Sequence, residues 1–352
     1  MNTHLISIFS FSLATFFVGI IIIPYFIEFL VKHKIGKQIR EEATIGKATE
    51  FAKLHKTKTG TPTMGGAIII LIVFFMILVS ILLQKSGFIN NSLFNQKETY
   101  LTIFTLATVG VLGAIDDFMN IRGIGRTKGL SARFKMFWLI IFAGIGALWF
   151  YYKLGWNIVD DMGNFIRILK IPFSEGIQVG IYFIPIFIFI IIAGANSVNI
   201  TDGLDGLAGG LLLFSYGVYG YITYDQGLYL LSTLCVSIIG ALIAFLWFNI
   251  KPAKFYMGDV GSLALGANLG IMAMLTNTIP VLMIVGAIFI FETLSVMIQL
   301  TSKKLRNGKK IFKIAPFHHH LEAIGWSEET VVFRLWLLGI VLSAIGLIVY
   351  KL

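Results

Sequence analysis

The sequence predicts an all-α integral membrane protein with about ten transmembrane helices and both termini outside. Composition is the first reason: 57% of the 352 residues are hydrophobic, 13% are charged, and the mean hydropathy is +0.85. The second reason is that long apolar runs alternate with polar segments along the whole chain. No soluble domain needs this much apolar surface, so the chain is expected to lie in a bilayer.

The predicted spans are apolar runs long enough to cross the hydrocarbon core as helices. They lie near residues 5–31, 66–84, 100–118, 134–152, 178–195, 206–223, 228–249, 261–276, 280–300 and 332–350. The first run is too long for a cleaved signal peptide, and no Lys or Arg precedes it. Residues 1–352 form a single predicted domain. The lone cysteine, Cys235, excludes a disulfide framework within the chain and a multi-cysteine metal cluster.

Lys and Arg residues set the orientation of the spans, because they are enriched in cytoplasmic loops. All but six of the 28 basic residues lie on the side that follows the first span. The six on the opposite side are Lys85, Lys97, Lys153, Arg167, Lys170 and Lys351. The first side is therefore predicted to be cytoplasmic. The same bias accounts for the net charge of +10 without nucleic acid as a partner.

Five of the eight aspartates lie where predicted spans meet cytoplasmic segments: Asp116, Asp117, Asp202, Asp205 and Asp259. Carboxylates at a bilayer edge are costly to bury and usually mark a functional site. Asp116 and Asp117 also end a predicted helix, where the helix dipole disfavours negative charge, so they need a compensating cation. The other clusters of polar residues that stand out in the sequence lie on the same predicted cytoplasmic side of the membrane. An active site is therefore predicted on the cytoplasmic face.

Aspartates beside glycines and basic residues favour a site for metal and phosphate. Carboxylates suit Mg²⁺, which usually binds one or two of them together with substrate phosphates. A metal on a diphosphate neutralises charge as a phosphoryl bond breaks. Glycines such as Gly203 and Gly258 let backbone N–H groups approach phosphate oxygens.

Each cluster also has a simpler interpretation. The aspartate pair could be solvated, residues 199–206 could form a polar turn, and residues 258–262 could be a helix N-cap. Lys58 could be an ordinary cytoplasmic lysine. Three consecutive histidines, 318–320, point in different directions and rarely chelate one ion. They either bind anionic substrate oxygens or belong to a structural loop.

Seven motifs occur along the chain in the order TPTMGG, DD, NSVNITDGLDGL, WFN, MGDVGS, FETLSV and APFHHHLE. With these motifs the sequence resembles the polyprenyl-phosphate N-acetylhexosamine-1-phosphate transferases over nearly its whole length. The aspartate motifs are shared across that superfamily. The PFHHHLE motif resembles its phospho-N-acetylmuramoyl-pentapeptide transferase branch.

The resemblance implies ten helices, a homodimer and a place in the bacterial cytoplasmic (inner) membrane with catalysis on the cytoplasmic side. It implies transfer of phospho-MurNAc-pentapeptide from UDP-MurNAc-pentapeptide to undecaprenyl phosphate, which gives lipid I and UMP. This reaction would be the first membrane step of peptidoglycan synthesis. Mg²⁺ is the implied cofactor.

The resemblance also assigns roles to residues that match its motifs. Asp259 would bind the metal, and Asp116, Asp117 and Asp202 would be catalytic, with Asp202 also holding donor phosphates. The substrate-binding residues would be Lys58, Asn199, Gly203, Leu204, Asp205, Asn249, Tyr256, Gln299, His318, His319 and His320. The ring of Tyr256 would stack on uracil. Asn120 departs from the pattern, because related sequences often carry a lysine there. Arg122, Arg126 and Lys128 are the candidates to supply that charge.

The chemistry of the acceptor makes a strong general base unnecessary. A phosphate monoester has a second pKa near 6, so it is mostly a dianion at neutral pH. We therefore expect Asp117 to position the acceptor or tune the metal rather than take a proton. Direct attack with UMP leaving is the simplest path, and a two-step route through a phospho-aspartate remains open.

Three alternatives remain on sequence grounds. A sister transferase acting on UDP-GlcNAc would keep the aspartates but differ at the histidines. A cation or proton transporter would favour carboxylates near mid-span, and Glu292 is the carboxylate that suits it best. A purely structural membrane protein would explain neither the Asp-Gly steps nor the histidines.

Overall fold

The computed structural model describes residues 2–36, 60–125, 129–154, 158–159, 165–166, 168–172, 174 and 176–352. These residues form twelve α-helices. In chain order they are α1 (Asn2–Lys32), α2 (Gly65–Lys85), α3 (Lys97–Arg122), α4 (Ala132–Trp149), α5 (Phe183–Thr201), α6 (Leu207–Asp225), α7 (Tyr229–Asn249), α8 (Gly258–Leu275), α9 (Ile279–Val285), α10 (Ala287–Leu305), α11 (Phe317–Ala323) and α12 (Glu328–Lys351). A π-helical turn, Phe150–Leu154, extends α4, and a 3₁₀ turn, Gly180–Tyr182, leads into α5.

Eight of the helices in the described residues are long and apolar enough to cross a membrane. Helices α9 and α10 are bent by 73° at the break between them. If they count together as one broken span, the described residues have nine spans. The predicted all-α membrane fold is confirmed, but the count by length and hydropathy is eight or nine rather than ten. The predicted span at 280–300 is broken at Gly286. The predicted span at 206–223 is α6, whose glycines and tyrosines lower its hydropathy and whose side chains are mostly buried against other helices.

Helix α8 lies at the centre of the bundle, with 83% of its apolar stretch buried. It packs against α3 and α5, the helices that carry the aspartate pair and Asn199. The contact with α3 depends on a missing side chain: a Cβ on Gly113 would lie 2.6 Å from the Cα of Val260. Small residues at such crossings let helix backbones approach closely. This close approach brings the C-terminal end of α3 to the N-terminal end of α8.

Short strands lie between α4 and α5, in the segment between the predicted spans 134–152 and 178–195. Strand β1 (Ile158–Val159) pairs with β2 (Phe165–Ile166), and β3 (Ile168–Leu169) pairs with β4 (Ile177–Gln178), both antiparallel. The side chain of Asn277, between α8 and α9, holds β3. Its Oδ1 accepts a hydrogen bond from the Lys170 N–H (3.2 Å), and its Nδ2 donates to the Ile168 carbonyl (2.8 Å).

Candidate active site

Lys135, in the first turn of α4, joins two of the predicted aspartates. Its ammonium donates to Asp116 Oδ2 at 2.8 Å and to Asp259 Oδ2 at 2.5 Å. The second oxygen of Asp116 accepts the Leu130 N–H (2.5 Å). Both residues of the aspartate pair are buried, so they are not solvated carboxylates at a helix end. Lys135 is the compensating cation for Asp116.

Asp117 points to a different partner, because consecutive helical side chains diverge. Its Oδ1 accepts the N–H of Asp259 and its Oδ2 accepts the N–H of Val260, both at 3.1 Å. These are first-turn amides of α8, which lack acceptors within their own helix. Gly258 permits the contact: its φ is +73°, and a Cβ there would lie 2.5 Å from Asp117 Oδ2. Asp117 therefore fixes the start of α8 against α3.

Asn199 approaches Asp259 from the C-terminal end of α5. Its Nδ2 donates to Asp259 Oδ1 (2.8 Å) and is 2.9 Å from Ser262 Oγ. Asp259 is thus held by an ammonium on one oxygen and an amide on the other. Three helices, α4, α5 and α8, fix the orientation of this one carboxylate.

A cavity of about 230 Å³ opens beside this cluster. Its lining includes five of the predicted site residues: Asp117, Asn199, Asp202, Tyr256 and Asp259. Thr63, Asn120, Ile121 and Gly258 complete the lining. The sequence motifs that contain these residues are far apart in the chain, yet they meet at one polar pocket. The carboxylates of this lining can hold cations, and the ammonium of Lys135, bound to Asp259, adds positive charge beside them.

The TPTMGG segment is hydrogen-bonded to the segment before α8. The Tyr256 N–H donates to the Pro62 carbonyl (2.8 Å), and the N–H groups of Gly65 and Gly66 donate to the carbonyls of Tyr256 and Met257 (both 2.7 Å). This pairing places Thr63 and Tyr256 on the same cavity. Lys58, Arg126 and Lys128 lie outside the described residues.

The turn after α5 carries Asp202, Gly203, Leu204 and Asp205. Asp202 lines the cavity, whereas Leu204 and Asp205 are buried. The Asp205 N–H donates to Glu328 Oε1 (2.9 Å), and Asp205 Oδ2 accepts the Ala253 N–H (3.1 Å). Asp205 therefore holds the turn against the loop after α7. Of the two carboxylates in this turn, only that of Asp202 lines the cavity.

Two predicted substrate contacts, Asn249 and Gln299, are buried and bound to the backbone. Asn249 accepts the Gly206 N–H (3.1 Å) and donates to the Phe255 carbonyl (2.8 Å). Gln299 accepts from Ile311 and Phe312, both at 3.0 Å, and donates to the Phe312 carbonyl (2.7 Å). Neither lines the cavity. The side chains of Asn249 and Gln299 therefore stabilise the loops around the site.

The three histidines lie on α11. His318 is 0% exposed and His319 is 5% exposed, and both stand over Gly203, where a Cβ would lie 2.9 Å from His318 Cε1 and 3.1 Å from His319 Nε2. His319 Nδ1 is 2.7 Å from Glu322 Oε2. His320 is half-buried, and its Nδ1 accepts the Lys313 N–H (3.2 Å). His318 and His319 therefore lie against the Asp202 turn rather than the Asp259 cluster.

Sequence reasoning missed Lys135 as a site residue. The available signal was a lysine one turn inside an apolar span, opposite aspartates that required a cation. Asn120 does line the cavity, so the position of the family lysine is at the site. Arg122, a candidate replacement, lies over the Phe118 ring, with 5.7 Å between the guanidinium carbon and the ring centroid. Lys135 supplies the positive charge from another helix.

Replacing Asp117 by asparagine is expected to loosen the α3–α8 junction. An amide keeps one acceptor but turns an NH₂ group toward the second backbone N–H, which is left unsatisfied at a cost of about 1–3 kcal/mol. The midpoint of thermal unfolding in detergent should fall, together with activity. Asp225→Asn, at the end of α6, is the matched control. It removes a surface ion pair with Lys351, which contributes little to stability, so the unfolding midpoint should stay nearly unchanged. An unchanged midpoint in Asp117→Asn would contradict the capping role.

Comparison with known proteins gives one consistent family. Residues 99–277 match the family described as glycosyl transferase family 4. A phospho-N-acetylmuramoyl-pentapeptide-transferase of Geobacillus sp. (strain WCH70) is 40% identical over 334 residues, or 95% of this chain and 94% of the relative. Proteins of the same name from Thermodesulfovibrio yellowstonii and Chloroflexus aurantiacus are 37% and 36% identical, over 97% and 95% of this chain and 91% and 87% of their own lengths.

Proposed function

Because the chain belongs to the phospho-N-acetylmuramoyl-pentapeptide transferases, enzymes of peptidoglycan synthesis, we propose that it acts on UDP-MurNAc-pentapeptide and undecaprenyl phosphate. It transfers phospho-MurNAc-pentapeptide to the lipid phosphate, giving lipid I and UMP. The observation that carries this proposal is the convergence of Asp117, Asn199, Asp202 and Asp259 on one polar cavity beside Lys135. A donor diphosphate needs this combination of anchored carboxylates and cationic donors.

The protein is a multi-pass membrane protein, and we place it in the bacterial cytoplasmic membrane with the cavity facing the cytoplasm. The distribution of Lys and Arg supports this orientation, since all but six of the 28 lie on the predicted side of the spans that also carries the cavity residues. A cytoplasmic site would also meet the nucleotide donor where such donors are made. We retain the homodimer as part of the proposal, and the mass of the protein in nanodiscs would test it.

The proposed reaction is a direct displacement at phosphorus. An oxygen of the lipid phosphate attacks the MurNAc-linked phosphorus, the bond to the UMP oxygen breaks, and UMP leaves as an anion. No proton has to be removed, because the acceptor is mostly a dianion at neutral pH. Asp117 uses both oxygens for the amides of α8, and Asp116 binds Leu130 and Lys135. These contacts favour positioning over base or nucleophile roles for the pair. A trapped phospho-enzyme would overturn direct attack.

We propose Mg²⁺ as the cofactor, held by Asp259. Lys135 supplies one positive charge to a centre with three carboxylates, Asp116, Asp117 and Asp259, so a divalent cation suits the remaining charge. No group of three metal-binding side chains in the described residues has the spacing of a closed metal site. Mg²⁺ usually binds one or two carboxylates together with substrate phosphates, and Asp259 would supply such a carboxylate. When bound, it would neutralise the diphosphate as its bond breaks.

The remaining predicted residues are proposed to bind the donor. Asp202 and the backbone around Gly203 would hold the nucleotide end, and the half-buried ring of Tyr256 would stack on uracil beside them. Lys58 would add charge toward the phosphates. The three histidines would act at the Gly203 turn, His318 and His319 through packing and His320 from its more exposed position.

Release of UMP tests the proposal directly. Purified protein in lipid nanodiscs is given UDP-MurNAc-pentapeptide with and without undecaprenyl phosphate and Mg²⁺. We expect UMP and lipid-linked product only when all three are present. UDP-GlcNAc replaces the donor in a parallel reaction. Faster turnover of UDP-GlcNAc would assign the chain's activity to the sister reaction, and no UMP from either donor would refute the proposal.

A further inference from the structure

A buried carboxylate outside the aspartate cluster lies in the middle of α10. The side chain of Glu292 is 0% exposed. Because burial of an unpaired charge is costly, a buried carboxylate needs a partner, and that partner indicates its role. Both of its oxygens accept the backbone N–H of His318, at 3.1 and 3.2 Å. Its Oε2 also lies 3.1 Å from His318 Nδ1. A single glutamate thus holds both the backbone and the ring of one histidine.

The backbone contact fixes where α11 begins. The first amides of a helix lack acceptors in that helix, and Glu292 supplies one from α10 to the N–H of His318. The ring contact fixes the orientation of the imidazole. Nδ1 is the ring nitrogen that faces Glu292, and Nε2 lies on the opposite side of the ring, away from this carboxylate.

Nε2 of His318 points to the turn after α5. A Cβ on Gly203 would collide with this nitrogen, so the imidazole packs directly on the turn backbone. The adjacent residue, Asp202, lines the cavity. Glu292, His318 and the Gly203 turn therefore form one continuous contact from the interior of α10 to the cavity wall.

We propose that Glu292 is a positioning residue for the donor half of the site. It orients His318, and His318 in turn holds the Asp202–Asp205 turn in the shape that receives the nucleotide donor. Glu292 itself touches no substrate. This inference rests on the proposed function, because it assigns the turn to donor binding. It also gives Glu292 a role that does not involve ion transport.

Glu292→Gln is the primary test. The amide keeps the size of the side chain and an acceptor for the His318 N–H, but it removes the charge that faces Nδ1. We expect the KM for UDP-MurNAc-pentapeptide to rise about 10- to 100-fold, by analogy with the loss in affinity or activity when a residue that orients a metal-binding histidine is removed. The KM for undecaprenyl phosphate should stay unchanged. Glu98→Gln makes the same change at the opposite end of α3 and should leave both KM values as they are.

A double-mutant cycle separates positioning from general stability. If Glu292 acts through His318, Glu292→Gln combined with His318→Asn should raise the donor KM no further than His318→Asn alone. A structural role predicts instead a lower unfolding midpoint with unchanged KM values in the folded enzyme. That result, or additive effects in the cycle, would overturn the proposal.

Two further results keep the test decisive. If Glu292→Gln does not fold, His318→Asn alone must raise the donor KM selectively, and an unchanged donor KM in that variant would refute the proposal. The wild type controls for the proposed function. Absence of UMP release by the wild type would refute the function, whereas normal wild-type release with unaffected variants would refute the inference only.

Discussion

Replacing Lys135 by methionine is expected to reduce kcat/KM for UMP release by about 10²- to 10³-fold, as loss of one preorganised charged group in an active site does. Methionine keeps the apolar stem of lysine but removes the ammonium that joins Asp116 to Asp259. Without it, two carboxylates face each other across a partly buried space, and Asp259 loses one of the two contacts that orient it. The measurement is steady-state UMP release in nanodiscs at saturating Mg²⁺.

Arg133→Met is the matched control for Lys135→Met. It removes a basic residue from the same turn of α4, but Arg133 is exposed and makes no contact with the aspartates. Its activity should equal that of the wild type. Lys135→Arg should recover part of the activity, because it restores the charge with a different donor geometry. Equal losses of activity in Arg133→Met and Lys135→Met would mean that activity depends on general surface charge rather than on the contacts of Lys135 with Asp116 and Asp259.

Asp259→Asn is expected to cause the second large loss, on the order of 10³-fold in kcat, the upper end of the loss seen when one preorganised electrostatic group is removed. The amide cannot accept from both Lys135 and Asn199 as the carboxylate does, and it is a weaker ligand for Mg²⁺. Raising the Mg²⁺ concentration should recover little activity, because the remaining carboxylates keep their protein partners.

Asp225→Asn serves as the control for Asp259→Asn. Asp225 lies at the C-terminal end of α6 and pairs with Lys351 at 2.7 Å, away from the cavity. This variant should retain wild-type turnover and Mg²⁺ dependence. Full activity in Asp259→Asn would exclude Asp259 as the metal-binding residue that the account requires.

Much of the fold follows from the sequence, because apolar length and basic loops are local signals. Most of the long helices begin and end within a few residues of a predicted span, but α5 continues to Thr201 and α11 corresponds to no predicted span. Two features could not be read from local patterns. The break at Gly286 depends on how α9 and α10 pack, and α6 is less apolar than a lipid-facing helix because its glycines and tyrosines contact protein.

The site was only partly predictable for a related reason. The motifs identified Asp117, Asn199, Asp202, Tyr256 and Asp259, which the structure brings to one cavity. They did not identify Lys135, because a bridge between three helices depends on tertiary packing and leaves no periodic pattern. The same limit applies to side-chain direction: Asn249 and Gln299 match the motifs, but their polar groups bind loop backbone.

If the proposed function is right, Asp259 and the donor diphosphate would bind the same divalent cation at the cavity beside Lys135. Pulsed electron paramagnetic resonance with Mn²⁺ in place of Mg²⁺ tests it most directly, because ³¹P couplings report phosphate bound to the metal. We expect bound Mn²⁺ with ³¹P coupling in the wild type with UDP-MurNAc-pentapeptide, and loss of that signal in Asp259→Asn. The same ³¹P coupling in Asp259→Asn, or none in the wild type, would contradict it.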